Sequence, residues 1–260
     1  MVGLSGGRAC VFKGCTITLD DKDGDPAAVV AVLEVTREMR MGPADAASVP
    51  DVQFTNTLVR GKGRAVWVSV ARSFSVTADN SAFALDGSFL AMDPPLRNAG
   101  AAEASVKLTH VTTLLSGPLL ELRAAKDPMA RVVPVNVSVD RCLFAPVAPT
   151  RPGVFVSIDD AEPGAEPRRY LSWDARGASV YANAEKQTAL ELRPWDDSPA
   201  TTWDIARWRE FGRDAGTDGK VSFAGKNLRN RLTLVRLADL KAERSDTRTA
   251  VEAGLRFGDE

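Results

Sequence analysis

Between Val52 and Leu122, apolar and polar positions repeat one short phrase three times: Phe54-Thr55-Asn56-Thr57, Ala78-Asp79-Asn80-Ser81 and Leu108-Thr109-His110-Val111. A glycine follows each Asn or His by seven residues, at Gly63, Gly87 and Gly117. Apolar residues stand three and five places beyond each glycine: Val66 and Val68, Leu90 and Met92, Leu120 and Leu122. Such alternation puts these side chains on one face of a strand, with Trp67 and Glu121 on the other. The interval from Asn or His to Gly admits a short strand and a turn but no helix, and glycine supplies a turn angle that other residues reach at a cost. The phrases begin 24 and 30 residues apart. Fixed internal spacing with variable spacers is the mark of stacked repeats. It predicts an all-β chain, a right-handed parallel β-helix (a solenoid), with surplus residues carried as loops at little extra entropy.

The same reading extends in both directions. Residues 9–19 form a first coil, with Gly14-Cys15 in the slots of Asn56-Thr57. Ala27 to Val35 reads as a strand, with a short helix as the alternative, and Arg37 to Asp51 as an excursion loop. Pro94 to Ala104 and Ala124 to Val133 are further loops. Val135 to Ala145 returns to the repeat with Arg141-Cys142 in the same slots, Val154 to Ile158 alternates again, and Arg169 to Tyr181 makes one more coil. Trp195 to Pro199 is a polar turn. Thr201 to Asp204 then reads as a capping box leading into a short helix through Ile205, Trp208 and Phe211, ended by Gly212. Val221 to Phe223 and Leu232 to Leu237 are late strand candidates, and the tail from Lys241 reads as polar and loosely held. A solenoid needs its open ends covered. Residues 1–200 are therefore expected to be the β-helix, and residues 201–260 its α-helical and loop C-terminal cap, within one domain. Met1 to Arg8 offers little cover for the other end, so the chain is expected to be part of a longer protein.

Composition narrows function chiefly by exclusion. With 44% hydrophobic and 26% charged residues, the 260-residue chain can bury a sizeable core. A net charge of −1 gives no global field to recruit nucleic acid or anionic lipid. Three cysteines, Cys10, Cys15 and Cys142, are too few and odd in number for a disulfide framework. Cys15 and Cys142 share a slot with Thr57, Ser81 and Val111, which predicts buried thiols stacked in register rather than a reactive or metal-binding pair. The first residues lack the apolar core of a secretory signal, and the longest apolar run, Ala27 to Leu33, is too short to span a bilayer. The compartment is left open.

No candidate chemistry outweighs its structural explanation. Asp21, Asp23 and Asp25 open like a calcium loop, but Pro26 and Val32 stand where such a loop needs Gly and a bidentate Glu. His110 is the only histidine, and its repeat slot gives it a place as a turn or ladder residue. One His and three dispersed Cys do not compose an open zinc site. Asp159 and Asp160 are adjacent and so point to opposite faces of a strand, while Asp79 and Asp86 fall at turns. Trp67, Tyr170, Trp173, Tyr181 and Trp195 could make an aromatic platform, or could fill core and cap. Arg207, Arg209, Arg213, Lys226, Arg229 and Arg231 make the last third locally basic, with acidic residues interspersed. Asn136-Val137-Ser138 fits a glycosylation sequon but lies in an expected strand. No catalytic, cofactor-binding or metal-ligating residue is assigned.

The segments Asn80 to Gly87, His110 to Leu122, Asp140 to Ala145, Leu171 to Ala182 and Trp203 to Trp208 resemble bacterial β-helix regions that lie C-terminal to serine/threonine protein kinase domains in large multidomain proteins. The resemblance covers roughly residues 8–237. Its motifs are structural, and neither a Gly-rich nucleotide loop nor His-Arg-Asp or Asp-Phe-Gly is present. It implies a non-catalytic accessory module of unknown ligand. The expected function is an interaction or scaffold module of a larger bacterial protein, working by surface complementarity along a flat strand face, with protein or carbohydrate as the candidate partners. The alternative is a polysaccharide-active β-helix enzyme, a hydrolase or lyase of the pectin lyase-like kind. Three or more Asp or Glu gathered in a groove on one face would favour that alternative.

Overall fold

Strict alternation governs the strands whose inner side chains are Val52 and Phe54, Phe74, Val76 and Ala78, or Val135, Val137 and Val139: these are buried, and the residues between them are not. The computed structural model describes residues 1–4, 9–20, 28–32, 49–69, 73–93, 104–124, 126, 134–147, 153–177, 179–183, 185, 187–212, 217–219, 221–223, 225, 228–240 and 242–245. After β1 (Val2–Leu4), strands come in triplets. These are β2 (Ala9–Lys13), β3 (Thr16–Leu19) and β4 (Ala28–Val32); β5 (Asp51–Thr55), β6 (Leu58–Gly61) and β7 (Arg64–Val68); and β8 (Phe74–Asp79), β9 (Ala82–Leu85) and β10 (Leu90–Met92). Then follow β11 (Ala104–Thr109), β12 (Thr112–Leu115) and β13 (Leu120–Arg123); β14 (Val135–Asp140), β15 (Leu143–Pro146) and β16 (Gly153–Ala161); and β17 (Leu171–Arg176), β18 (Val180–Ala182) and β19 (Gln187–Pro194).

The first strand of each triplet joins a six-stranded sheet, the second a seven-stranded sheet and the third an eight-stranded sheet. Strands of successive triplets lie side by side and parallel, so Val66, Leu90, Leu120 and Val156 form one row and Ala78, Leu108 and Val139 another. The chain is thus all-β with parallel sheets. The inner faces share one apolar core. Within it Phe12 stacks on Phe54 at 5.2 Å, and Phe83 meets Phe54 and Phe89 edge-on.

The repeat slots do two different jobs. Asn56, Asn80, His110 and Arg141 all have left-handed backbones, with φ between 44° and 51°. Asn and His are among the few side chains that tolerate this conformation. Gly14 (φ 62°) holds the same corner in the first triplet, and Gly177 (φ 72°) follows β17 in the last. The next slot is interior: Thr57, Ser81, Val111 and Cys142 are fully buried, and Cys15 is half-buried with its Sγ 3.7 Å from Thr57 Oγ1. Ser81 Oγ accepts the Thr57 N–H at 3.1 Å, and Ser179 Oγ accepts the Cys142 N–H at 3.3 Å. Ser179 therefore holds this slot in the sixth triplet, two residues after Gly177 rather than one, which the spacing in the sequence did not reveal.

The glycines need a correction. Gly63, Gly87 and Gly117 do stack at one corner of successive triplets, but only Gly63 has a positive φ, 138°. A Cβ on Gly87 would lie 2.3 Å from the Gly63 carbonyl oxygen, and one on Gly117 2.9 Å from the Gly87 carbonyl carbon. Close approach of backbones, rather than a turn angle, excludes side chains from the latter two.

The C-terminal part divides in two. Thr201 to Asp204 is not a capping box: Thr201–Trp203 is β20, antiparallel to β19, and Asp204 alone caps helix α1 (Ile205–Gly212) by accepting the Arg207 N–H at 2.8 Å. Trp208 is fully buried, 4.9 Å from the Trp173 ring and 5.7 Å from Phe155, and its Nε1 donates to Tyr181 at 3.3 Å. The remainder runs back over the outer face of the seven-stranded sheet. After β21 (Thr217–Gly219), β22 (Val221–Phe223) pairs antiparallel with β23 (Ala242–Ser245), so residues 242–245 are a strand and not loose tail. Leu232 to Leu237, expected as a strand, falls in two 3-10 turns, Leu228–Leu234 and Leu237–Leu240. Leu232, Val235 and Leu240 bury themselves against Leu58, Ala84, Leu114, Leu143 and Val180 in a second apolar cluster. The expected loops at 37–51, 94–104 and 124–133, and the tail beyond 245, lie largely outside the described residues.

Candidate interaction face

The three sheets present different outer faces. That of the seven-stranded sheet is apolar and lies under the C-terminal segment. That of the eight-stranded sheet carries acids held by arginines. Arg64 meets Glu121 at 3.2 Å, Arg123 meets Asp93 at 3.8 Å, and Arg193 meets both Asp159 at 3.0 Å and Glu191 at 2.7 Å. Hydrogen bonding to Glu191 is the main cause that raises the Arg193 pKa above the ordinary arginine value.

The six-stranded sheet differs from both. Its outer rows, read across β5, β8, β11, β14 and β17, are Asp51/Ser75/Ser105/Asn136/Ser172, Gln53/Thr77/Lys107/Ser138/Asp174 and Thr55/Asp79/Thr109/Asp140/Arg176. Nine of these fifteen are Ser, Thr, Asn or Gln, so the face is dominated by short neutral hydrogen-bonding groups. Parallel strands repeat about every 4.8 Å, so the rows present donors and acceptors at that interval. Asp51 accepts from Gln53 Nε2 at 2.5 Å and from Ser75 Oγ, and Asp174 accepts from Arg176 Nε at 2.9 Å. At one edge of the face two of the corner residues join, where Asn80 Nδ2 donates to Asn56 Oδ1 at 2.7 Å.

The remaining candidates fall elsewhere. His110 is 7% exposed at the left-handed corner. Asp159 bonds Arg193 while Asp160, itself left-handed, lies 3.3 Å from Lys126, so the two carboxylates serve separate partners. Asp79 and Asp86 are both exposed. Tyr170, Trp173 and Tyr181 are buried. The Tyr170 hydroxyl accepts the Glu162 N–H at 2.8 Å, and burial raises its pKa against the opposing charge of Arg169. Trp67 and Trp195 are half-buried, and Trp67 Nε1 donates to Asp93 at 2.8 Å on the eight-stranded sheet. These five aromatics make no common platform. Cys10 is half-buried, and burial pushes its thiol pKa up, away from reactivity. Asn136 is exposed on β14. Arg207 lies over the Trp203 ring at 4.6 Å, while Arg213, Lys226 and the side chains of Arg229 and Arg231 lie outside the described residues. Asp21, Asp23 and Asp25 lie outside them too. Among the described residues, no three His, Cys, Asp or Glu gather to hold a metal ion, and no helix is long and apolar enough to cross a membrane. The sequence suggests an interaction surface along a strand face without distinguishing among the three sheets. The alternation of Ser and Thr with Val along 74–79, 104–109 and 135–140 carried that signal. Comparison with protein-family models, with curated proteins and with solved structures gives no match.

Proposed function

We propose that the chain is a right-handed parallel β-helix that serves as a non-enzymatic interaction module of a larger bacterial protein. In this reading it accompanies a kinase domain, as the sequence resemblance implies. The outer face of the six-stranded sheet is the binding surface, and its ligand is an extended neutral polymer rich in hydroxyl or amide groups. One observation carries this: five parallel strands set nine neutral polar side chains in register on one face. Direct hydrogen bonds to such a face confer specificity through the groups they would otherwise leave unpaired. The alternative of a polysaccharide hydrolase or lyase draws less support: the acids of the eight-stranded sheet are engaged by Arg64, Arg123 and Arg193, and of the four aspartates on the six-stranded face Asp51 bonds Gln53 and Ser75, Asp174 bonds Arg176 and Asp140 lies 3.8 Å from Arg141.

The test is a binding panel of neutral and acidic polysaccharides against purified protein and the double variant Ser105→Arg/Asn136→Arg. Both positions are exposed, so the fold tolerates the change. The expected result is saturable binding of a neutral polymer, weakened at least tenfold in the variant, with no shortening of the polymer. Binding unaffected by the variant places the surface elsewhere. Reproducible chain cleavage would instead make the protein an enzyme.

A further inference from the structure

The geometry points to a second, unrelated site: a cavity for one small aromatic ring carrying a single hydrogen-bonding group, between the seven- and eight-stranded sheets. Its origin lies in two inner rows that face each other across that corner. One row runs Val59, Phe83, Thr113, Phe144, Tyr181, and the other Phe89, Leu119, Phe155, Ala189. In the third triplet the two rows meet as Phe83 and Phe89, 4.8 Å apart and edge-on; in the fifth they meet as Phe144 and Phe155, at 5.1 Å. In the fourth triplet the corresponding pair is Thr113 and Leu119, with no ring at all, and in the sixth Ala189 is small beside Tyr181. The stack therefore lacks a ring on the fourth-triplet side of the Phe144–Phe155 pair, whereas on the sixth-triplet side Tyr181, Trp173 and Trp208 pack against Phe155 at 5.4, 5.6 and 5.7 Å.

Ser116 to Leu119 closes the corner in the fourth triplet, on the glycine stack described above. Beside it lies a cavity of about 60 Å³. One water needs ~10–15 Å³ on the same measure, so the space admits several waters or one small ring. Phe144, Phe155, Leu115, Leu119 and Ile205 supply apolar walls, which favour a ring over water. Polar groups come from Thr113, Ser116 and Gln187. A Cβ on Gly153 would lie 2.5 Å from Gln187 Oε1, so the glycine makes room for that amide.

Phenol and toluene are the probes. Saturable binding of phenol to the purified chain is expected, stronger than that of toluene, with nuclear Overhauser contacts from its ring protons to the methyl groups of Leu115 and Leu119. Thr113→Phe, which supplies the ring missing between Phe83 and Phe144, is expected to weaken phenol binding at least tenfold, and Ala189→Phe fills the space from the other row. Failure of both probes to bind up to their solubility overturns the assignment. So do contacts to methyl groups elsewhere, whether or not the filled variants fold, and undiminished binding in folded Thr113→Phe and Ala189→Phe.

Discussion

The left-handed corner is where single residues decide most. Four successive triplets place Asn56, Asn80, His110 and Arg141 at φ between 44° and 51°. A left-handed residue with a Cβ costs ~1–2 kcal/mol, least for Asn, whose short side chain bonds locally. The Asn80 side chain also donates to that of Asn56 in the preceding triplet, a bond between corners. His110→Asn is therefore expected to leave the thermal midpoint unchanged or to raise it. His110→Val, β-branched at the same angle, is expected to cost roughly 2 kcal/mol. Chemical denaturation of the two variants checks this; equal losses would mean that the imidazole is held by something other than its corner. The test also bears on function, because turnover of any polysaccharide that vanished in folded His110→Asn would make this histidine catalytic.

At the scale of the element, neighbouring corners constrain one another. Gly117 N–H donates to the Gly87 carbonyl at 3.3 Å, and Gly87 in turn lies against Gly63. A methyl group on Gly87 would come 2.3 Å from a backbone oxygen, whereas on Gly117 it would come 2.9 Å from a backbone carbon. Backbone cannot swing aside as a flexible side chain can, so overpacking of roughly 1–3 kcal/mol is expected. Gly87→Ala should be the more damaging, and urea midpoints of the two variants would show the reverse order if the stack were loose there. The spacing of these glycines was plain in the sequence, and so was the alternation that builds each strand. What set the spacing was not, since a turn angle and a close approach both select glycine and differ only in three dimensions. Other misreadings have the same root. Leu232 to Leu237 alternates like a strand but is bent into 3-10 turns as it packs on Leu58 and Leu143. Thr201 to Trp203 looks like a capping box but extends to pair with β19. Tertiary partners overrode local pattern in both. The polar face proposed for binding was legible only as a category, because register across β5 to β17, rather than any one strand, assembles its rows.

Over the whole molecule the central question is how a stack of parallel strands avoids presenting apolar outer faces. Ser, Thr and charged residues solve it along β5 to β17 of the six-stranded sheet and along β13, β16 and β19 of the eight-stranded one. The seven-stranded sheet instead shows Leu58, Ala82, Ala84, Leu114, Leu143 and Val180 outward, and the returning C-terminal segment covers them. Val235 fixes this cover: it is 1% exposed, and its carbonyl accepts a hydrogen bond from Arg60, whose Nε also donates to Thr18 at 2.9 Å. Val235→Asp would bury an unpaired carboxylate, which is costly enough that the segment should lift rather than accept it. The expected outcome is early proteolytic cleavage within residues 221–245 and a several-fold rise in binding of an apolar dye, with the β-sheet circular dichroism retained. Leu234→Asp is the control, because Leu234 is 59% exposed and faces away from the sheet. If Val235→Asp unfolds the strands along with the segment, the cover is part of one cooperative unit with them. If both variants behave as wild type, Val235 does not hold the segment down and the apolar face is secured by other contacts.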